Sequence, residues 1–223
     1  MQLVARFWGS ALGKKLVMAV TGLVMVGFVV VHMAGNLQVF VGAEKLNAYA
    51  ELLHGPLAEV VWIARVVLLG AVVLHVTAAV QLTRQAHAAR PHGYAEKSPQ
   101  VSTFASRTIR WGGALLLVFI VLHLLHFTSR TLFPAEFGER PIYDLLVDRG
   151  LGFGNPLVAG FYVLSMAGLG LHLFHGVWSS PRTLGLAPAT NDPIKRRLAV
   201  ALAVVVAVGF AAVPLSIFLG LVK

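Results

Sequence analysis

Five long apolar stretches dominate the pattern of hydrophobic and polar positions along the chain. They lie near residues 15–36, 58–82, 110–131, 156–179 and 198–221. Each is long enough for a helix to cross a hydrocarbon core of about 30 Å, which takes about 20 residues. None shows the strict alternation of apolar and polar residues that a membrane β-barrel strand requires. The pattern therefore predicts an all-α membrane protein in which residues 1–223 form one bundle of five transmembrane helices.

Composition supports this fold class. Hydrophobic residues make up 57% of the chain and charged residues only 12%, whereas soluble domains are about 45–50% apolar. Pro56 and Pro156 are predicted in the first turns of the second and fourth spans, where proline is tolerated. The sequence contains no phosphate-binding loop, nucleophile elbow or HExxH motif. We therefore expect no catalytic residues in this chain.

The distribution of charge predicts which way the bundle faces. Twelve of the 18 Lys and Arg residues, including Lys97, lie in the N-terminal tail and in the second and fourth loops. Seven of the nine Asp and Glu residues lie in the first and third loops. Because cationic loops stay in the cytoplasm, we expect a multi-pass protein of the bacterial cytoplasmic membrane, with its N-terminus inside and its C-terminus outside. The topology signal accounts for the net charge of +9, so we expect no nucleic-acid partner. We also expect no cleaved signal peptide, because the first apolar stretch is longer than the apolar region of such a peptide.

Histidine is the main candidate for chemistry, because the chain has nine His and no Cys. The absence of cysteine excludes a disulfide framework and a thiolate-bound iron–sulfur cluster. An ionisable residue inside a membrane span is costly and marks a functional site by default. Six histidines lie inside the predicted spans: His32, His75, His123, His126, His172 and His175.

The six intramembrane histidines fall at two depths. Spans one and three run outward and carry their histidines in their second halves, which lie in the outer leaflet. Spans two and four run inward and carry theirs near the inner leaflet, about half the hydrocarbon thickness away at 1.5 Å per residue. The sequence predicts one group per leaflet: His32 with His123 or His126, and His75 with His172 or His175.

Paired imidazoles from two facing helices suit a haem b with both axial positions filled. Such a haem transfers electrons and does not bind oxygen. Two haem b groups at two depths would form an electron path across the membrane. A di-iron site would need several carboxylates at the same level, and the spans carry none there. A His-only zinc or non-haem iron enzyme remains an alternative, although such enzymes gather their ligands at one membrane face.

Several segments carry a family resemblance that covers nearly the whole chain. They are residues 10–22, residues 32–40 followed by 47–49, His75 with Arg90, Pro91 and Tyr94 downstream, residues 123–128 and residues 172–184. Together these segments resemble the cytochrome b membrane-anchor subunit of succinate dehydrogenases and fumarate reductases. The similarity is to the type with five helices, two haems and a single membrane polypeptide.

The resemblance implies a complex in which a flavoprotein oxidises succinate and an iron–sulfur subunit relays the electrons. This chain would anchor both subunits and pass the electrons through two haems to a membrane quinone. The resemblance assigns His32 and His123 to the haem distal from the iron–sulfur subunit, and His75 and His172 to the proximal haem. It favours His172 over His175 because the spacing of the residues that follow resembles the family signature. A higher oligomer of the heterotrimer is compatible with it.

Few polar residues are available near the outer haem. Arg65 is the only strong charge well inside a span, and its guanidinium could pair with a haem propionate, contact a quinone or extend to the interface. Glu51 and His54, in the first loop, are candidates for the quinone site. Moving one charge through the membrane potential involves about 2.3 kcal/mol per 100 mV, which can assist reduction of a low-potential quinone, so we expect menaquinone. Candidates at the inner haem propionates are Ser10, Arg107, Trp178 and Arg182.

A second interpretation is the haem b subunit of another membrane oxidoreductase, such as a hydrogenase or a formate dehydrogenase. Such a subunit would share the histidines but not the segments at residues 32–40 and 175–179.

Overall fold

The computed structural model describes residues 2–89, 103–186 and 192–223. All regular structure in these ranges is helical, and five helices are long and apolar enough to cross a membrane. The predicted fold class, an all-α membrane protein with five spans, is therefore confirmed. Arg90, Pro91, Tyr94 and Lys97 lie outside the described residues.

The helices follow one another without long interruptions in the described ranges. The spanning helices are α2 (Ala11–Asn36, continued by a 3₁₀ turn Leu37–Phe40), α4 (Ala58–Ala88), α5 (Phe104–His123, continued by a π turn Leu124–Thr128), α8 (Pro156–Thr183) and α9 (Pro193–Phe218). The short helices are α1 (Gln2–Gly9), α3 (Ala43–His54), α6 (Pro134–Phe137) and α7 (Ile142–Val147).

The two prolines expected in first turns behave differently. Pro156 is the first residue of α8, and the Asn155 side chain caps this helix by accepting the Leu157 N–H at 2.9 Å. The prediction for Pro56 is wrong, because α4 begins at Ala58 and Pro56 lies in the preceding turn.

Helices α5 and α9 begin earlier than their apolar stretches. The hydroxyl of Thr103 accepts the Ser106 N–H at 3.1 Å, and the Asp192 carboxylate accepts the N–H groups of Ile194 and Lys195 at 3.0 and 3.3 Å. Such caps satisfy backbone donors that a helix leaves free in its first turn. Both helices therefore begin about one and a half turns before the hydrophobic pattern, at their polar caps.

Helices α2 and α8 form the centre of the bundle. They pack against each other, α4 packs on α2, α5 packs on α8, and α9 contacts both central helices. A buried cluster of Leu173, Ala203 and Val206 joins α8 to α9, and Met33 of α2 packs against this cluster. The outward faces are apolar and exposed, as at Trp111 and Leu157, which are both 81% exposed. A soluble protein would bury such residues, whereas a lipid-facing helix presents them to the acyl chains.

One end of the bundle is closed by the short helices and is called the capped end. Helices α3, α6 and α7 lie there, and the main apolar core of the described residues, which includes Val39, Tyr143 and Phe153, fills it. The Asn47 side chain accepts the Tyr143 N–H at 3.1 Å, which ties α3 to α7. The Tyr143 hydroxyl donates to the Lys223 carbonyl at 2.8 Å. The opposite end carries α1 and an Arg110–His87 hydrogen bond of 2.8 Å between α5 and α4.

A tight turn at Asp148 organises the loop between α7 and α8. One oxygen of the Asp148 carboxylate accepts the N–H groups of Gly150 and Leu151, both at 2.8 Å. The other carboxylate oxygen pairs with Arg140 at 3.1 Å. The pKa of Asp148 is lowered chiefly because its carboxylate accepts the Leu151 N–H. Desolvation opposes this shift, and the Gly150 N–H and Arg140 reinforce it.

We predict that this loop loosens in acid and in the Asp148→Ala variant. A carboxyl group whose pKa is lowered in the folded state stabilises that state above its usual pKa near 3.8, and the contribution disappears as the pH falls through the folded-state pKa. At neutral pH, removing the carboxylate should cost about 1 kcal/mol locally and speed amide exchange at Leu151 about fivefold.

Hydrogen exchange, corrected for intrinsic rates, measures both effects. Asp144→Ala is the matched control, because it removes the same charge from an exposed position. Equal protection of Leu151 in wild-type protein and Asp148→Ala would contradict the prediction.

Candidate functional site

The structure brings four of the intramembrane histidines together as two pairs. The ring centres of His32 on α2 and His123 on α5 lie 5.9 Å apart. Those of His75 on α4 and His172 on α8 lie 6.2 Å apart. These are the pairs that the resemblance assigns, and depth allows them together with the alternatives His126 and His175.

Each pair spans two helices that are not among the closely packed neighbours of the bundle. Backbone packing joins α2 to α4 and α5 to α8, whereas the histidines face each other between α2 and α5 and between α4 and α8. All four rings are only partly buried. The bundle thus holds the imidazoles across gaps between helices, not inside a close-packed helix interface.

Hydrogen bonding orients the His75 ring. Its Nδ1 lies 3.0 Å from the Met18 carbonyl oxygen and 3.3 Å from the Thr21 hydroxyl. Because a carbonyl can only accept, the Nδ1 carries the hydrogen, and a neutral ring then has its lone pair on Nε2. This is the usual arrangement of a histidine metal ligand, whose second nitrogen donates to a carbonyl. Gly22 lies beside this ring, where a Cβ would make an ordinary contact at 3.4 Å.

The His172 ring has unused bonding capacity. Its Nδ1 is buried and has no hydrogen-bond partner among the described residues. The ring lines an apolar groove of about 290 Å³ between α5 and α8, together with residues that include Trp111, Gly112, Leu164 and Gly168. A buried polar atom without a partner is costly. An apolar groove with a histidine in its wall suits a flat, mostly apolar ligand that the ring can bind.

Aromatic rings surround the other pair. Phe28 stacks on His32 with ring centres 5.2 Å apart, and Phe119 stacks on His123 at 5.6 Å. Phe210 of α9 approaches His32 at 5.7 Å. The amide nitrogen of Asn36 lies 3.3 Å from His32 Nε2. Apart from that amide and the Tyr162 hydroxyl, the groups around this pair are apolar.

The two pairs lie at different levels along α2. His75 is bonded at the level of Met18 and Thr21, whereas His32 belongs to a later part of the same helix. At 1.5 Å per residue the two levels differ by about 16–21 Å. That separation is between half and two thirds of a hydrocarbon core of about 30 Å.

His126 does not face His32. Its Nε2 lies 2.8 Å from the Leu151 carbonyl and its Nδ1 lies 3.2 Å from the Tyr162 hydroxyl. The π turn that follows His123, closed by the Ser129 N–H to the Leu124 carbonyl at 2.8 Å, widens the helix at this point. Both histidines contact the Tyr162 hydroxyl of α8, but the ring that faces His32 is that of His123. On α8 the ring that faces His75 is that of His172, and His175 follows about one turn further on.

Arg65 is placed over an aromatic ring. Its guanidinium carbon lies 4.9 Å from the ring centre of Trp62, which is 62% exposed. No acidic side chain of the described residues forms an ion pair with Arg65. The cation–π contact uses one face of the guanidinium and leaves its N–H donors available. The sequence analysis did not identify Trp62, although its position one turn before Arg65 was the available signal.

The structure does not bring Glu51 and His54 into either histidine pair. Both side chains are exposed on α3, and the Nδ1 of His54 donates to the Ala50 carbonyl at 2.8 Å. Tyr49, on the same helix, is closer to the His32 region. A Cβ on Gly35, one turn after His32, would lie 2.7 Å from the Tyr49 ring and 2.9 Å from its hydroxyl. Sequence analysis noted this tyrosine within a family segment but gave it no role.

The candidates for the inner propionates have local roles that the structure shows. The Ser10 hydroxyl accepts the Gly13 N–H at 2.9 Å and donates to the Phe7 carbonyl at 2.8 Å. The Arg182 guanidinium lies 4.1 Å from the ring centre of Trp178. Arg107 is exposed in the first turns of α5.

No protein-family model, curated protein or solved structure matches this chain. The evidence for a function is the geometry of the histidine pairs together with the sequence resemblance.

Proposed function

We propose that this chain is a membrane cytochrome b subunit that binds two haem b groups, one between His32 and His123 and one between His75 and His172. The observation that carries the proposal is the spacing of the two histidine pairs. A metal ion bound to two imidazole nitrogens at about 2 Å each requires ring centres about 6.3 Å apart. The observed separations are 5.9 and 6.2 Å.

The number of ligands supports haem over a bare metal ion. No group of three or more His, Cys, Asp or Glu side chains in the described parts of the chain is placed to share one metal. Structural zinc takes four protein ligands and catalytic zinc three. A haem iron needs only two protein ligands, because the macrocycle supplies the other four. The donor set and the gaps between the helices that carry each pair fit this group.

When bound, haem supplies one-electron transfer through its iron. The residues of the chain hold it in place and exclude water. His75 presents Nε2 because its Nδ1–H is bonded to Met18, and Phe28 and Phe119 shield the His32–His123 pair. His32 with His123 and His75 with His172 would hold the two groups, and the chemistry supplied there would be electron transfer. The site is built for electron transfer across the membrane between its two levels.

We assign Arg65 to a propionate of the haem at His32 and His123. It lies about two turns from the start of α4, which begins at the capped end, and His32 lies near that end of α2. Trp62 holds its guanidinium by a cation–π contact while the N–H donors can pair bidentately with a carboxylate. The quinone site in this proposal belongs at the capped end, where α3 carries Tyr49 beside Gly35 and the exposed Glu51 and His54.

The physiological complex in this proposal is a succinate:quinone oxidoreductase. The chain anchors a flavoprotein and an iron–sulfur subunit, and the succinate site lies on another polypeptide. The exposed basic residues at the end opposite the capped end, such as Arg107, Arg196 and Arg197, support a cytoplasmic docking face there. Electrons would enter at the His75–His172 haem and leave at the His32–His123 haem for a quinone, menaquinone in our proposal.

Single histidine variants should each remove one haem. His32→Ala and His123→Ala should reduce the haem content from two to one per chain by loss of the same haem. His75→Ala and His172→Ala should remove the other haem, because an iron with one axial imidazole is held weakly. Haemochrome quantification and reduced-minus-oxidised spectra measure the result.

His175→Ala is the matched control, because it removes an intramembrane histidine outside the pairs and should keep both haems. Wild-type protein without b-type absorption would end the haem proposal. Loss of the same haem in His75→Ala and His123→Ala would show that the pairing is wrong.

Reporter fusions test the orientation. A periplasmic phosphatase fused after Lys223 should be active, and the same enzyme fused after Gly185, between α8 and α9, should be inactive. The cationic loops should keep the second junction in the cytoplasm. Activity only at Gly185 would reverse the proposed topology.

A further inference from the structure

A small polar cluster lies inside the apolar capped end, and the haem proposal does not use it. It consists of His126, Tyr162 and the Leu151 carbonyl. The two side chains are only 5% and 7% exposed. Buried polar groups are costly unless they are bonded. The cluster therefore invites a functional explanation in addition to packing.

The direction of each hydrogen bond in the cluster follows from the Leu151 carbonyl. This oxygen can only accept, so His126 donates its Nε2–H at 2.8 Å. A neutral imidazole, the form that an apolar interior favours, then has its lone pair on Nδ1. That lone pair accepts the Tyr162 hydroxyl hydrogen at 3.2 Å. The hydroxyl oxygen of Tyr162 is left as an acceptor.

The remaining neighbour of the Tyr162 hydroxyl is His123. Its Nδ1 lies 3.4 Å from the hydroxyl oxygen. Because the hydroxyl hydrogen is already committed to His126, His123 must be the donor in this contact. His123 then carries its hydrogen on Nδ1 and its lone pair on Nε2.

We infer that Tyr162 and His126 are positioning residues for the haem at His32 and His123, acting through a chain of hydrogen bonds from His123 to the Leu151 carbonyl. The inference rests on the proposed function. The chain fixes the tautomer of His123 and increases electron donation from its imidazole, as a hydrogen bond from the second nitrogen does for metal-bound histidine. It also joins the His123 ring to the Asp148 turn, since Asp148 holds the Leu151 N–H.

The two haem sites are supported differently. At the other site the corresponding acceptor is the Met18 carbonyl, a backbone group that no substitution removes. At His123 the acceptor is a side-chain hydroxyl, so the contact can be deleted with little change in shape. Tyr162→Phe keeps the ring that contacts Phe119 and Phe153 with centres 5.2 and 4.9 Å away.

Redox titration of the purified holoprotein tests the inference. In Tyr162→Phe the haem that His123→Ala removes should show a higher midpoint potential, because a weaker imidazole donor favours the reduced iron. The midpoint of the other haem should not change. His126→Leu should give an upward shift of the same haem.

His126→Gln separates positioning from simple packing. Its amide can accept from Tyr162 and donate to Leu151, so it should restore a midpoint close to the wild-type value. Tyr143→Phe is the matched control, because it also deletes a hydroxyl hydrogen bond at the capped end but contacts neither pair. If Tyr162→Phe fails to retain haem, the comparison of His126→Leu with His126→Gln decides.

Two outcomes overturn the inference. Unchanged midpoints in Tyr162→Phe or His126→Leu with both haems retained would show that the chain does not act on the haem. Equal shifts in His126→Leu and His126→Gln would show a packing effect alone. Both outcomes leave the haem proposal intact, whereas wild-type protein without haem would overturn the haem proposal and the inference with it.

Discussion

An imidazole in an apolar membrane interior has two nitrogens, and each needs a partner. The organisation of this bundle follows from how the two nitrogens of each intramembrane histidine are used. His75 directs one nitrogen to the Met18 carbonyl and leaves the other facing His172. His126 uses both nitrogens within the protein, with Tyr162 and Leu151. In our proposal, histidines of the first kind bind haem iron, and His126 supports one of them through Tyr162.

The packing of the spans reflects a compromise between close helix contacts and open gaps. The central helices α2 and α8 contact each other, and α9 covers both of them. Gly209 of α9 lies against Met33 of α2, and a Cβ there would require the Met33 side chain to move. The helices that carry each histidine pair are not packed closely against each other. Rigid contacts on one side of α8 thus support an open groove on its other side.

Much of this arrangement could be predicted from the sequence. The five spans follow from apolar runs of sufficient length, and matched depths in parallel spans predict His32 with His123 or His126 and His75 with His172 or His175. Depth could not decide between the two histidines of a span, because the choice depends on tertiary contacts between helices. The sequence pattern also placed Pro56 inside the first turn of α4, whereas it lies in the preceding turn. Tyr162 was not identified, because its role depends on a contact between α5 and α8. Local patterns determine the spans, while the assignment of each nitrogen depends on tertiary contacts.

Neither histidine pair joins sequential spanning helices: one links the first to the third, and the other links the second to the fourth. This alternation has a consequence for biogenesis, because a chain is synthesised from its N-terminus. The His32–His123 site has both of its rings as soon as α5 has entered the membrane. The His75–His172 site must wait for α8, and α9, with Phe210 against His32, arrives after both. In the proposed cytochrome b, this order of helices would complete the His32–His123 site first, with α9 closing over it last.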